Sequence, residues 1–354
     1  MKRIFALVLS LLIVFSAMPF VSAEEDKNTD LEFAMAMGFI EESEDIYPDD
    51  VLTRIELAEI FYNIVFDKYL QFGKEYESID FPDVPEDKKP IVSMVYGMGV
   101  MRGYSDSVFA PDDPVTYSQL IKTFVAFLGY DALAQFRGGY PSGYLTVAAN
   151  LKILPEYIVS NDSVATIGAA CELLKKCSVV DIGIPTPEGG YYVKEGVSYL
   201  EYYKEVKVGK GTITGNYLTN INEDELTGYF SVLINDEKMF VAGTAAGIQN
   251  YLGYEVYVYY EDVDNVKTIV YYELGNNSVL ELSAEKISYV SNRTIAYYEG
   301  FDTLKVNISQ TADVLYNGSH LASYTASDIN PFEAENLDGS IRLVAAGTDA
   351  EITT

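Results

Sequence analysis

The residues best suited to hold a ligand are Thr53-Arg54-Ile55-Glu56. Thr-x-x-Glu ahead of an apolar, helically spaced run is a capping box, in which hydroxyl and carboxylate each satisfy an otherwise unpaired backbone N–H. That role accounts for Thr53 and Glu56. It leaves Arg54 unexplained, because a cation in the first helical turn opposes the helix dipole, at a cost of roughly a few tenths of a kcal/mol. A helix N-terminus also attracts anions, and a guanidinium adds a planar fork matched to carboxylate. Arg54 is therefore either part of an anion site or a solvated, salt-bridged surface residue, and the residues leave both open. Thr116-x-x-Gln119 repeats the box, and Thr166-x-x-Ala169 keeps half of it.

Other chemistry is thinly represented. The chain has one histidine, His320, and no tryptophan, so no multi-histidine metal site is available and general-base chemistry would rest on His320 or carboxylates. No nucleophile motif accompanies His320, and no enzymatic activity is expected. Asn222-Glu223-Asp224-Glu225 and Glu261-Asp262-Val263-Asp264 could hold calcium, although neither continues as an EF-hand loop; no other cofactor is expected. Cys171 and Cys177 fall on one helix about 9 Å apart in rise, beyond the ~7 Å reach of a disulfide, and read as two buried free thiols.

Composition narrows the partners. Lys and Arg total 24 against 53 Asp and Glu, a net charge of −29, which excludes nucleic acid as a partner because phosphates need clustered cations. With 49% hydrophobic residues the chain folds. Lys2-Arg3, the apolar run Ile4 to Phe15 and Val21-Ser22-Ala23 form a signal peptide over residues 1–23. Its apolar core of about 12 residues is short of the ~20 that span a bilayer. Secretion with cleavage after Ala23 is expected.

These residues are positioned by a repeat. Met37-Gly38 recurs as Met98-Gly99, and Pro48-Asp49-Asp50 with Thr53 recurs as Pro111-Asp112-Asp113 with Thr116. The stripe Leu57, Phe61, Ile64, Val65 recurs 63 positions on as Leu120, Phe124, Phe127, Leu128, and a third copy places Thr166, Ala170, Leu174 and Cys177 a further 50 on. The spacing i, i+4, i+7, i+8 predicts a helix burying one face. Each copy reads as helix, loop, helix, and the three are expected to pack their long helices together. The expected organisation is an all-α module over residues 24–182 with repeats at about 30–67, 80–130 and 138–181, then a Pro/Gly linker over 183–198. A β-rich domain over 199–354, sandwich or barrel in type, follows. Its strands are read at Tyr199 to Val208, Gly211 to Leu218, Tyr229 to Ile234, Tyr254 to Tyr260, Val266 to Leu274 and Leu304 to Ile308. A hairpin turn is read at Asn317-Gly318, and a last strand over Ser340 to Val344. The fold class is multi-domain α + β.

Phe81-Pro82-Asp83-Val84, Met98-Gly99-Val100-Met101-Arg102-Gly103-Tyr104-Ser105-Asp106 and Val108-Phe109-Ala110-Pro111 with Thr116 resemble the S-layer homology (SLH) repeat of bacterial surface proteins; Thr53-Arg54-Ile55-Glu56 resembles its helix start. Gly138-Gly139-Tyr140-Pro141-Ser142-Gly143-Tyr144 is similar to the opening of third repeats in that family. The resemblance implies a pseudo-threefold helical bundle of three repeats that binds secondary cell-wall polysaccharide, often pyruvylated, a peptidoglycan-associated glycan. It implies binding through Arg54, Asp83, Gly103 and Tyr104. Copies two and three carry Tyr117 and Ile167 where the family has its arginine. The expected function is a non-catalytic protein of the cell wall or S-layer, a lattice component that self-associates or a scaffold. The alternative is an anchored adhesin or a fragment of a surface enzyme.

Overall fold

The computed structural model describes residues 29–72, 79–156, 160–222, 226–291, 293–309, 312–313, 315–316, 319–320 and 339–347. The expected signal peptide lies outside the described residues. The protein is a mixed α + β chain that divides into two compact units, Asn28–Gly209 with Val258–Tyr271, and Lys210–Tyr257 with Tyr272–Thr354.

The first unit holds α1 (Thr29–Ala36), α2 (Arg54–Phe72), α3 (Lys89–Gly97), α4 (Tyr117–Phe127), α5 (Asp131–Phe136), α6 (Ser142–Asn150) and α7 (Ile167–Cys177). The short helices α1, α3 and α6 end alike. A left-handed residue follows each, Gly38 (φ 69°), Gly99 (φ 74°) or Lys152 (φ 59°). The next N–H then turns back onto the helix, from Phe39 to Ala34 O (2.8 Å), Val100 to Val95 O (3.1 Å) and Ile153 to Ala148 O (3.0 Å). The recurrent Met-Gly pairs are these stops. Lysine in the third stop hides it from a search for glycine.

The long helices α2, α4 and α7 start after Thr53, Thr116 and Thr166. Thr116 and Gln119 complete a capping box, and Thr166 accepts from the Ala169 N–H at 3.2 Å. The expected stripe is buried throughout: Leu57, Phe61, Ile64 and Val65 on α2, Leu120, Phe124 and Phe127 on α4 with Leu128 just beyond it, and Ala170, Leu174 and Cys177 on α7. Phe61 meets Phe124 and Phe127 at ring-centroid distances of 5.1 and 4.7 Å. Both cysteines are free and buried, and burial pushes the Cys171 thiol up to about 12.

Backbone hydrogen bonds join the three helix starts in closed cycles. The N–H of Leu52 donates to Ala165 O (3.0 Å), that of Ala165 to Val115 O (2.8 Å), and that of Val115 to Leu52 O (2.9 Å). A second cycle runs from Arg54 to Asp113 O, Tyr117 to Ser163 O and Ile167 to Asp50 O, at 3.0, 3.0 and 2.9 Å. A third runs from Ile55 to Pro111 O, Ser118 to Asn161 O and Gly168 to Pro48 O, at 2.9, 2.9 and 2.8 Å. In every cycle the donors are spaced by the sequence offsets of 63 and 50. The first N–H groups of each long helix, which lack intrahelical partners, are thus satisfied by loop carbonyls of another copy.

Two stretches differ from the sequence reading. Residues 183–198, expected as a linker, form an antiparallel hairpin, β1 (Asp181–Pro185) with β2 (Tyr191–Ser198). Gly183 lies against Gly129 and its N–H donates to Leu128 O at 2.8 Å, so this glycine serves close packing. Tyr199, expected to open a strand, instead leads into a π-helical turn over Leu200–Lys204. Its aromatic spacing suits both conformations, and burial decides between them. Tyr199 is fully buried, donates to Leu174 O at 2.9 Å, and packs with Tyr203 on Phe127 at 5.7 and 5.5 Å. Left-handed Glu205 (φ 60°) ends the turn. The unit division accordingly falls after Gly209.

Strands β3 (Val206–Gly215), β4 (Ser231–Ile234), β5 (Glu237–Val241), β6 (Glu255–Val263) and β7 (Val266–Leu274) close a barrel in the order β3-β4-β5-β7-β6. The division between units runs through β3, β6 and β7. The β4–β5 and β6–β7 turns are Asn235-Asp236 and Asp264-Asn265, all left-handed. Asn and Asp tolerate the positive φ that a tight two-residue hairpin needs. The second unit adds β8 (Asn277–Ser283) paired with β14 (Ser340–Ala346), and a meander of β9 (Ile287–Ser291), β10 (Thr294–Glu299) and β11 (Asp302–Asn307). Leu282, Ile287, Ile295, Tyr297 and Val306 form its own small core. β12 (Leu315–Tyr316) pairs with β13 (Ser319–His320) across the expected Asn317-Gly318 turn, which lies outside the described residues.

Candidate functional site

Arg54 is the first residue of α2, and its side chain is buried, 6% exposed. This differs from the solvated surface residue that the sequence left open. Arg54 Nε donates to Phe109 O (2.9 Å) and Nη2 to Arg102 O (2.8 Å). The guanidinium carbon is 4.6 Å from the ring centre of Tyr104 and 4.7 Å from that of Phe109. An arginine of the first copy is therefore gripped by the loop of the second.

That loop is shaped by its own residues. A Cβ on Gly103 would lie 2.7 Å from the Phe81 ring and from the carbonyl oxygens of Ser105 and Val108, so only glycine fits. The Tyr104 N–H donates to Val108 O at 2.8 Å, closing the turn. Asp83 fastens its far end, accepting from the Phe109 N–H at 3.0 Å and the Ala110 N–H at 2.7 Å. Phe81, 2% exposed, anchors the Asp83 segment against Phe109 at 5.7 Å. The structure thus brings Arg54, Asp83, Gly103 and Tyr104 into one junction. Tyr104, 54% exposed, is the member that faces solvent.

Partial desolvation acts to raise the Asp83 carboxyl, but the N–H groups of Ala110 and Phe109 and the charge of Arg54 hold it below its ordinary value of 3.8. A depressed folded-state value means stability present above the ordinary carboxylate pKa and lost as pH falls through the lower one. Acidification below about pH 4 should therefore loosen this loop. Asp83→Asn should flatten that part of the acid dependence, measured as melting temperature between pH 5 and 2.

Burial lowers the pKa of Arg54, opposed by Tyr104, Asp113 and Asp83, and guanidinium still remains charged. Two further cations lie close. Arg102 sits over the Tyr96 ring at 5.2 Å, and Lys122 of α4 donates to Val100 O at 3.2 Å. Burial, and then the charges of Arg102 and Arg54, lower the Lys122 pKa, while Asp131 raises it. In so acidic a chain this is a local concentration of positive charge. Arg102, Phe109 and Lys122 were not assigned from the sequence. Arg102 is signalled by its place before Gly103-Tyr104, whereas nothing in the sequence marks Lys122.

The other candidates are placed differently. The N–H groups of Arg54 and Ile55, expected to face an anion, are taken by Asp113 O and Pro111 O. Only the arginine side chain is left for that role. Thr53 and Glu56 bond each other (Thr53 N–H to Oε2, 2.8 Å; hydroxyl to Oε2, 2.6 Å), and Gln119 accepts the Thr116 N–H at 3.0 Å. These four are caps. At the Arg54 position the other copies bury Tyr117 and Ile167, and, counted from the equivalent stops at Gly99 and Lys152, the third copy's sequence has Glu156-Tyr157 where the second has Gly103-Tyr104. Of the acidic runs, Asp262 pairs with Lys207 at 3.3 Å, and residues 223–225 lie outside the described residues. No group of three or more His, Cys, Asp or Glu that could hold a metal occurs among the described residues.

The S-layer homology domain family matches residues 80–121, the segment that carries Asp83, Arg102, Gly103 and Tyr104. A protein named Cell surface protein from Thermoanaerobacter kivui is 23% identical over 277 residues, covering 76% of this chain and 34% of that protein. The chain spans about a third of the length of that relative. The family's motif residues lie around Arg54, and the chain thus carries, over residues 80–121, a segment that matches the S-layer homology domain.

Proposed function

We propose that this is a non-catalytic cell-surface protein, exported and held non-covalently to secondary cell-wall polysaccharide as an S-layer component or scaffold. The segments 29–72, 79–127 and 142–177 act as three SLH repeats about a pseudo-threefold axis, a reading supported by the cyclic hydrogen bonds at the helix starts. The observation that carries the binding role is the Arg54 guanidinium between Tyr104 and Phe109, with Arg102 and Lys122 near it. A sugar ring stacks on exposed Tyr104, and an acidic substituent such as a pyruvyl carboxylate meets the cations. The first-to-second junction supplies most of the affinity, since the positions equivalent to Arg54 elsewhere hold Tyr117 and Ile167. The greater length of the surface-protein relative favours a second reading, in which such an anchor carries an adhesin or surface enzyme.

Co-sedimentation with peptidoglycan sacculi, before and after removal of the polysaccharide, tests the anchoring. The chain should pellet only with untreated sacculi. Tyr104→Ala should weaken binding about tenfold, consistent with one aromatic contact, with unchanged circular dichroism. Equal pelleting with stripped sacculi would sink the polysaccharide assignment.

A further inference from the structure

We propose that the second unit carries a homodimerisation face, centred on Tyr217, Tyr229 and Phe230, whose occupant is a second copy of this chain. It shares no residue with the Arg54 junction and does not depend on wall binding. Residues 211–222, 226–235 and 239–254 contain no Asp, Glu, Lys or Arg, in a chain of which 22% of residues are charged. Folding gathers these three segments. The Asn216 amide donates to Gln249 O at 2.8 Å, the Gln249 amide to Tyr229 O at 3.3 Å, and the Val241 N–H to Phe230 O at 2.9 Å. Tyr229 lies 4.9 Å from Tyr217 and 5.1 Å from Phe230, ring centre to ring centre. Tyr229 and Phe230 are 62% and 69% exposed, and Leu218, next to Tyr217, is 62% exposed. Of the charged runs between the segments, Asp236-Glu237-Lys238 lies at the β4–β5 turn, the opposite end of β4 from Phe230.

Exposed rings can serve a sugar or a protein, and the hydrogen bonds around them separate the two. The Asn216 carboxamide is spent on the N–H groups of Leu218 and Thr219 and on Gln249 O, and that of Gln249 on the Gly247 N–H and Tyr229 O. A sugar needs such amides for its hydroxyls, whereas here the rings are offered without them. Aromatic rings with few charges are the composition of a protein interface core. The same bonds fix the loop that bears Tyr217 and Leu218, so little freedom is lost on docking. The net charge of −29 selects the partner. A basic protein is drawn to the carboxylates and gains nothing from an uncharged face. A second copy, equally acidic, approaches closely only where neither chain carries charge. Around a two-fold axis the rings meet their own counterparts, so one face supplies both halves of the contact.

Sedimentation equilibrium of the chain from Glu24 onward, without glycan, tests this. The weight-average mass should rise from one protomer toward two between about 1 and 100 µM. Tyr229→Ser with Phe230→Ser, both at exposed positions, should raise the dimer dissociation constant at least about tenfold at an unchanged melting temperature. Leu218→Ser, a smaller change, should raise it about threefold. Phe301→Ser, at a fully exposed ring in the β10–β11 turn, should leave it unchanged. Added salt should tighten the dimer, because it screens the repulsion between two acidic chains and meets no ion pairs across the face to weaken. A monomer throughout this range, wild-type association in the double variant, an equal loss in Phe301→Ser, or weaker association in salt would each overturn the proposal. Wall polysaccharide should bind the double variant and the wild type alike, which separates a failure here from a failure of the wall-binding reading.

Discussion

Arg54→Ala should destabilise the helical unit by about 3 kcal/mol as well as abolish wall binding. The substitution leaves Phe109 O and Arg102 O without their charged donor and empties the space between Tyr104 and Phe109. Each charged hydrogen bond contributes about 1.5 to 3 kcal/mol, partly offset as water reaches the freed carbonyls. Arg54→Lys keeps the charge but cannot reproduce two bonds from one planar group, so it should lose less stability and most of the binding. Urea denaturation of the three proteins, with binding measured well below each melting temperature, separates the two effects. Wild-type stability in Arg54→Ala would show that the guanidinium does not hold the loop of the second copy.

Gly129→Ala should cost more, about 4 kcal/mol or above. Gly129 has φ 84°, and a Cβ there would sit 1.8 Å from Gly183 O and 2.5 Å from its carbonyl carbon. These are backbone atoms at the start of the β1–β2 hairpin, so relief requires moving the hairpin away from the end of α4. Gly99→Ala is the control. It has a similar φ, 74°, but open space around the added carbon, so it should cost only the left-handed penalty of about 1 to 2 kcal/mol. The difference in urea midpoint between the two variants measures the close approach alone. Equal losses would mean that the hairpin yields freely.

Much of the helical unit was legible in the sequence because its signals are local or periodic. A capping threonine needs only the residue three positions on, and a buried stripe repeats with the helix. The same offsets of 63 and 50 reappear in the hydrogen-bond cycles, because equivalent residues meet equivalent neighbours. The two thiols were legible for a similar reason, since the rise of one helix sets their separation. The four motif residues, Arg54, Asp83, Gly103 and Tyr104, were legible through the resemblance, each lying in a short contiguous motif.

Tertiary structure decided what sequence-local reasoning could not reach. The N–H groups at the start of α2 are free in an isolated helix, but here carbonyls of the next copy occupy them, which leaves only the Arg54 side chain for the proposed anion-binding role. Residues 183–198 have the prolines and glycines of a linker, yet Gly183 is there to approach Gly129. Tyr199 to Lys204 has strand composition, yet Phe127 and Leu174 hold its tyrosines in a π-helical turn. Lys122, far from Arg54 in the chain, is brought close enough for the two charges to act on each other. Periodicity and capping depend on neighbours within one or two turns, so the sequence carries them. Close backbone approach and the gathering of like charges depend on which surfaces meet, and only the folded chain determines that.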